Sequence, residues 1–325
     1  MFQSIGVTTD FSDTSRQAFK PAAVLARKLG MRLRVIHVDP GPEIHTTWQC
    51  PPGSETISDR REVEIRNRLE RLIEDEPAFW GLEAAPRLIR GQPDDVLAAL
   101  HENEPIDLLV VSSHAHDDVK HFVPGSFAAR ALHLARCPVL VLRSTPFEGA
   151  PLEIRRLLVP VDFSASSLEA LDLASGLAGA FQASLELLSV IETHVDAPGS
   201  EAPEEDRAAS GPSEDAVEKT RRLEELAAKF RSSRSAHVAV RSGFPAQEIL
   251  AEAAASKADL IVMGSRGLSP VEQVTLGSVA ECIIQKARCP VLVVKTESVR
   301  DRHPGKPRRE ERAGDTVDVL RRETC

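Results

Sequence analysis

The chain has 325 residues, 42% of them hydrophobic, and a formal net charge of -9 at pH 7. That acidic balance argues against a nucleic-acid partner, because a phosphate backbone is held by a basic face. No run approaches the roughly 18 apolar residues needed to cross a bilayer, and nothing at the N-terminus resembles a cleavable signal peptide. Five cysteines, an odd number without CxxC spacing, suit a reducing compartment. The expectation is a cytoplasmic protein with no membrane partner.

Along the chain, short apolar runs alternate with segments of helical periodicity. The first half offers strands at Ile5-Gly6-Val7, Leu33 to Val38, Leu88-Ile89, Leu108 to Val111 and Val139 to Leu142. The second offers Leu157 to Val161, Leu185 to Val190, Val238 to Val240, Leu260 to Met263 and Val291 to Val294. After the first of these, Ser164 is placed to cap a helix carrying Leu168, Leu171, Leu177 and Phe181 at roughly helical spacing. Near-continuous apolar strands separated by helices predict a parallel sheet covered on both faces.

The two halves repeat. A shift of 152 residues lays Asp10-Phe11-Ser12 on Asp162-Phe163-Ser164, Val38 on Val190 and Gly91-x-Pro93 on Gly243-x-Pro245. It also lays Asp107-Leu108 on Asp259-Leu260, Gly125-Ser126 on Gly277-Ser278, and Ala135 to Leu140 on Ala287 to Leu292. A period this long marks a duplicated domain, since solenoid units span roughly 20–50 residues. The expected domains are residues 1–145 and 153–296, followed by a charged tail over 297–325 too poor in apolar residues to order itself. Asp196 to Ala216, rich in Pro, Gly, Ser and acids, is expected to lack order as well. Within the tail, Val317 to Leu320 has the makings of a short partner-binding helix.

The fourth apolar run of the second half opens into Gly264-Ser265-Arg266-Gly267, followed nine residues later by Gly277-Ser278. A buried strand running into spaced glycines, then Gly-Ser at a helix mouth, suits an anion: the backbone approaches closely and a helix N-terminus offers free N–H groups. The pattern G-x2-G-x9-G-S lacks the Gly-Lys-Ser/Thr of a P-loop and the G-x-G-x-x-G of a dinucleotide fold. It resembles the nucleotide-binding signature of the universal stress protein family. The resemblance covers residues 1–143 and 153–295. It implies two tandem, doubly wound, five-stranded α/β domains, akin to adenine-nucleotide hydrolases and packed as an intramolecular pseudo-dimer, with further homo-oligomerisation open.

The same resemblance implies ATP contacts, or contacts to ADP or AMP, at Pro160, Asp162, Val190, Met263, Gly264, Gly267, Gly277, Ser278 and Val279. The residues themselves fit such a site. A carboxylate beside phosphates is repelled, so Asp162 suits neutral donors on adenine or ribose. Val190 offers backbone N–H and C=O groups to a base edge. Ser265 lies within the phosphate loop, Arg266 adds a cation and Ser278 a hydroxyl. Mg²⁺ would accompany a triphosphate.

The first half departs where it matters. Ser112 and Ala115 replace Gly264 and Gly267, and His114, Asp117 and Asp118 alter the loop's charge. A degenerate, nucleotide-free domain is expected there. The cluster His114, His116 and His121 has zinc-ligating residue types in no standard spacing, and His37 reads as a packed strand histidine. Cys137 and Cys289 are equivalent repeat positions and read as small buried residues.

Three functional readings stand: a stress-response module that holds ATP and signals to an unidentified protein partner, a slow ATPase or self-phosphorylating enzyme, and a nucleotide-independent interaction protein. Catalysis is disfavoured because the loop has Ser265, Ser269 and Ser278 but no base for water. Adenylation is disfavoured because strand one ends in Asp-Phe in both halves, without an SGG-type or HIGH-type loop. Finally, the fifth strands, Val139 to Leu142 and Val291 to Val294, lack charge to blunt an edge, so they are expected to pair antiparallel.

Overall fold

The computed structural model describes residues 3–41, 57–100, 105–113, 126–143, 153–192, 214–229, 235–267 and 276–295. The first half contributes strands β1 (Ser4–Thr8), β2 (Arg32–Asp39), β3 (Ala84–Arg90), β4 (Leu108–Ser113) and β5 (Val139–Arg143). The second contributes β6 (Arg156–Pro160), β7 (Ser184–Glu192), β8 (Ala236–Gly243), β9 (Leu260–Gly264) and β10 (Val291–Val294). All ten form one sheet in the order β3-β2-β1-β4-β5-β10-β9-β6-β7-β8. Within each half every pairing is parallel. Only the seam, β5 against β10, is antiparallel. This is the pseudo-dimer that the unblunted edges predict.

The register at the seam carries the symmetry. Leu292 faces Leu140, while Val291 faces Val141 and Val293 faces Val139. Leu140 and Leu292 are the same repeat position, so the pseudo-twofold axis passes between them. Two apolar layers, one on each face of the sheet, run across the seam and draw residues from both halves. Separating the halves would therefore expose β5 and β10 backbone as well as apolar side chains.

The repeated Asp-Leu pairs have a structural cause. One oxygen of Asp107 accepts the N–H groups of Gln3 and Ser4 at 2.6 and 3.0 Å. Asp259 does the same for Arg155 and Arg156 at 2.8 and 2.9 Å. Each carboxylate thus fixes where the central strand of its half begins. The repeated Gly-x-Pro likewise has a cause, for Gly91 and Gly243 sit at φ 139° and 155°, backbone that side chains rarely adopt.

The helix after the central strand differs between the halves. In the second it is continuous, α6 (Ala165–Phe181), with Ser164 accepting the Ser167 N–H as N-cap. In the first it breaks into α1 (Asp13–Arg16) and α2 (Phe19–Leu29). Pro21 accounts for the break: its ring would collide with the carbonyl of Gln17 in an unbroken helix and has no N–H to donate. The other helices are α3 (Ile57–Asp75), α4 (Pro93–Ala99), α5 (Ser126–Leu134), α7 (Glu214–Lys229), α8 (Pro245–Ala255) and α9 (Ser278–Lys286).

Three expectations need adjustment. Leu168 belongs to the apolar pattern of α6 but is 38% exposed, whereas Leu171 and Leu177 are buried as read. Residues 214–216, read as part of an unordered segment, are the first turn of α7. Cys137 is buried, but Cys289 is only half-buried, with its thiol pushed up to about 11 by burial. The proposed zinc cluster, Ala115, Asp117, Asp118, Gly125, Ser269, the rest of the acidic segment and the C-terminal tail lie outside the described residues.

Candidate functional site

In each half the strand order 3-2-1-4-5 reverses between strands one and four, and ligands of open α/β sheets bind at the carboxyl ends beside such a point. In the second half the reversal lies between β6 and β9. Pro160 closes β6, Asp162 follows two residues later, and Met263-Gly264 close β9. The structure therefore brings Pro160, Asp162, Val190, Met263 to Gly267 and Gly277 to Val279 to one edge of one sheet.

The turn at Asp162-Phe163-Ser164 is strained. Phe163 has φ 66° and its repeat mate Phe11 φ 67°, a region costly for a bulky residue, by about 1–3 kcal/mol. Local bonds hold it. Asp162 Oδ1 accepts both the N–H and the Oγ of Ser164, at 3.0 and 2.5 Å. The guanidinium of Arg222 lies 3.9 Å above the Phe163 ring, as that of Arg68 lies 4.1 Å above Phe11. In the first half burial disfavours the charge on Asp10, yet hydrogen bonds from Ser12 outweigh it and keep the carboxyl below its usual range.

The glycines divide into two kinds. At Gly264 an added Cβ would lie 2.8 Å from the backbone carbon of Ser166, so this glycine lets the start of α6 approach β9. Ser166 completes the contact by donating its hydroxyl to the Arg266 carbonyl. At Gly267 a Cβ would stand 2.7 Å from Asp162 Oδ2, so the bare backbone there lies against the second carboxylate oxygen. Gly277 is different: its φ is -77° and a Cβ would meet Ser265 O at an ordinary 3.5 Å. Among the described residues nothing in the packing demands a bare backbone at this glycine.

The N–H inventory refines the expectation of a loop lined with donors. Ser265 N–H is taken by Val294 O at 2.9 Å, and Gly277 N–H by Ser265 O at 2.8 Å. Among the described residues, no backbone acceptor takes the N–H groups of Arg266 and Gly267 or those at the start of α9. The first intrahelical bond runs from Glu281 N–H to Gly277 O, so Ser278, Val279 and Ala280 have no acceptor within the helix. No side chain among the described residues caps this terminus, unlike α1 and α6, which Ser12 and Ser164 cap. Donors at the positive end of a helix dipole, without a capping side chain among the described residues, are an arrangement that can accept an anion. Arg266, half-buried beside them, makes no ion pair among the described residues.

At the other end of the edge stands Val190. Val161 N–H donates to Leu188 O at 2.8 Å, and alternation along a strand turns the polar groups of Val190 to the same side. There β6 has already ended, so the ladder supplies no partner. The structure instead shows Lys219 Nζ donating to Val190 O at 2.9 Å. Sequence reasoning missed this contact, because its acceptor is a backbone carbonyl and its lysine is one cation among many. It also missed Ser166, which nothing but the packing of α6 on β9 reveals.

The first-half edge lacks these features in part. Ser112 stands where Gly264 does. His37, as expected, is a packed strand residue: its Nδ1 lies 2.8 Å from Thr9 O and its ring 4.6 Å from Phe11. No group of three or more His, Cys, Asp or Glu among the described residues is arranged to hold a metal ion. No helix of the described residues is long and apolar enough to cross a membrane.

The fold is that of a tandem, doubly wound α/β protein. Residues 1–143 and 153–295 each match the model of the universal stress protein family. The chain belongs to that family. It is 37% identical over 147 residues to universal stress protein MJ0531 of Methanocaldococcus jannaschii, covering 43% of this chain and 82% of that protein. It is 34% identical over 147 residues to universal stress protein YxiE of Bacillus subtilis, covering 43% of this chain and 98% of that protein. A universal stress protein structure from Archaeoglobus fulgidus superposes with a TM-score of 0.67 at 22% identity, over 90% of this chain and 98% of that one. At that identity the likeness speaks for the fold.

Proposed function

We propose that the second half binds one adenine nucleotide, ATP in the first instance, and that the protein acts as a nucleotide-responsive module signalling to a protein partner in the stress response. The observation that carries this reading is the N-terminus of α9, which no described side chain caps, at the same sheet edge as Val190, which lies beyond the end of β6 with its carbonyl held by Lys219. The first suits phosphates and the second suits a base.

Each residue then has a task. The N–H groups of Ser278 and Val279 hold phosphate oxygens, joined by the Ser278 hydroxyl and the Arg266 guanidinium. Gly277 keeps the approach clear. Asp162, with Oδ1 held by Ser164, offers Oδ2 to ribose hydroxyls. Val190 presents its backbone to adenine, with Pro160 and Met263 as neighbouring apolar surface. Mg²⁺ would shield the triphosphate in solution, and Asp162 is the described carboxylate nearest to the Gly267 backbone.

Binding without efficient turnover belongs to this reading, and Glu281, in the first turn of α9, is the acid to test for a part in activating water. A holding site on a sheet that runs through both halves can pass a small shift at β9 to β10 and across the seam. Mass spectrometry of protein purified under native conditions tests the reading. Co-purified or added ATP retained at one per chain supports it, and a protein that retains none at millimolar ATP contradicts it.

A further inference from the structure

Lys219 gives the site a property beyond holding a nucleotide. Its ammonium donates to the Val190 carbonyl at 2.9 Å, the acceptor that the proposed reading assigns to the base. The side chain comes from α7, which packs its Leu223 into the core beneath β7. Two residues on the same helix line up with the first half: Leu223 with Leu69, both fully buried, and Arg222 with Arg68, each over its phenylalanine. By that alignment Lys219 corresponds to Ile65, an apolar residue packed against the core. In the first half the cation at the matching strand end, Arg61, is bound instead to the carboxylate of Asp39 at 2.8 Å.

We propose that Lys219 sets base selectivity at this site, by competing with the 6-amino group of adenine for the Val190 carbonyl and by donating to a 6-oxo purine. This rests on the nucleotide reading above. The chemistry is a matter of donors and acceptors. An amino group and an ammonium are both donors, so adenine either displaces Lys219 or shares the carbonyl's two lone pairs with it, and both weaken its hold. A 6-oxo base presents an acceptor, which a bare carbonyl repels but an interposed ammonium satisfies. Lys219 therefore weakens adenine and strengthens hypoxanthine, narrowing the preference between them. Its half-buried position makes the exchange feasible, since the released ammonium returns to water.

The experiment is calorimetric titration of the full chain with ATP and with ITP, for the natural protein, Lys219→Met and Lys219→Arg. Lys219→Met should bind ATP roughly three- to tenfold more tightly, the scale of one charge-assisted hydrogen bond partly exposed to water. It should bind ITP more weakly, so that the ITP-to-ATP ratio of Kd rises by more than the gain for ATP alone, roughly tenfold. Lys219→Arg retains a donor and should keep the natural ratio. Equal weakening of both nucleotides in Lys219→Met would show the lysine serving phosphate instead and overturn the inference, as would an unchanged ratio. Absence of binding in all three proteins would remove the nucleotide reading, and this inference with it. As a second measure, acylation of Lys219 followed by peptide mass spectrometry should speed up when ATP is added, because the ammonium is freed. Protection of Lys219 by ATP contradicts the displacement.

Discussion

Leu140 and Leu292 face each other across the antiparallel seam, and each is the other's repeat mate. Both are 2% exposed. A residue paired with its own duplicate stands at the symmetry axis, so these leucines mark where two copies of one domain meet through their edge strands.

Replacing both by aspartate should separate the halves or unfold the chain. Two carboxylates would be set side by side in an apolar seam, at a cost of several kcal/mol, against a domain stability of about 5–15 kcal/mol. Small-angle scattering should show a larger radius of gyration than the natural chain. Retained compactness in the double variant contradicts the assigned role of the seam.

Gly264→Ala should destabilise the second half by about 1–3 kcal/mol, as overpacked sites do. The new methyl meets the Ser166 backbone at 2.8 Å, which cannot swing away as a side chain tip would. Urea unfolding should show a lower midpoint with little change in slope. An unchanged midpoint would mean that α6 does not approach β9 so closely. Because the clash is with backbone, adding Ser166→Ala should restore only part of the loss.

The carboxyl of Glu186 is pushed above its ordinary value of 4.5, first by burial and then by neighbouring Glu252. Arg241 is bound to Glu252 at 2.8 Å through Nε, while His237 lies opposite Glu186 on β8. A raised folded pKa means that the native state holds the proton more tightly than the unfolded chain. The associated stability is fully present below about pH 4.5 and declines as pH rises through the folded value. Glu186→Gln should therefore melt higher than the natural protein at pH 7, with the advantage shrinking toward pH 4. A variant that melts lower at pH 7 would contradict this sign.

The order of strands and helices was legible in the sequence because the buried strands are continuous apolar runs and the repeat prints each element twice. The seam was legible from what the fifth strands lack, namely charge. Individual residues were harder to read. Gly264 and Gly277 look alike in a motif, yet one is demanded by Ser166 and the other is not. That distinction depends on how closely a helix packs on a strand, which no local pattern records. Lys219 was invisible for a similar reason: its partner is a backbone carbonyl, and carbonyls have no signature in sequence. The broken helix of the first half was not read from the sequence, although Pro21 accounts for it.

The central claim, one nucleotide per chain in the second half only, is tested most directly by calorimetric titration of ATP into the natural chain and into Gly277→Val. A Cβ at Gly277 meets its nearest described atoms at an ordinary 3.5 and 3.7 Å, and the methyl groups of a valine there are expected to cover the N-terminus of α9. The account predicts a stoichiometry of one for the natural chain and loss of binding in Gly277→Val with an unchanged melting temperature. Two equivalent sites per chain, or full binding by Gly277→Val, would contradict it.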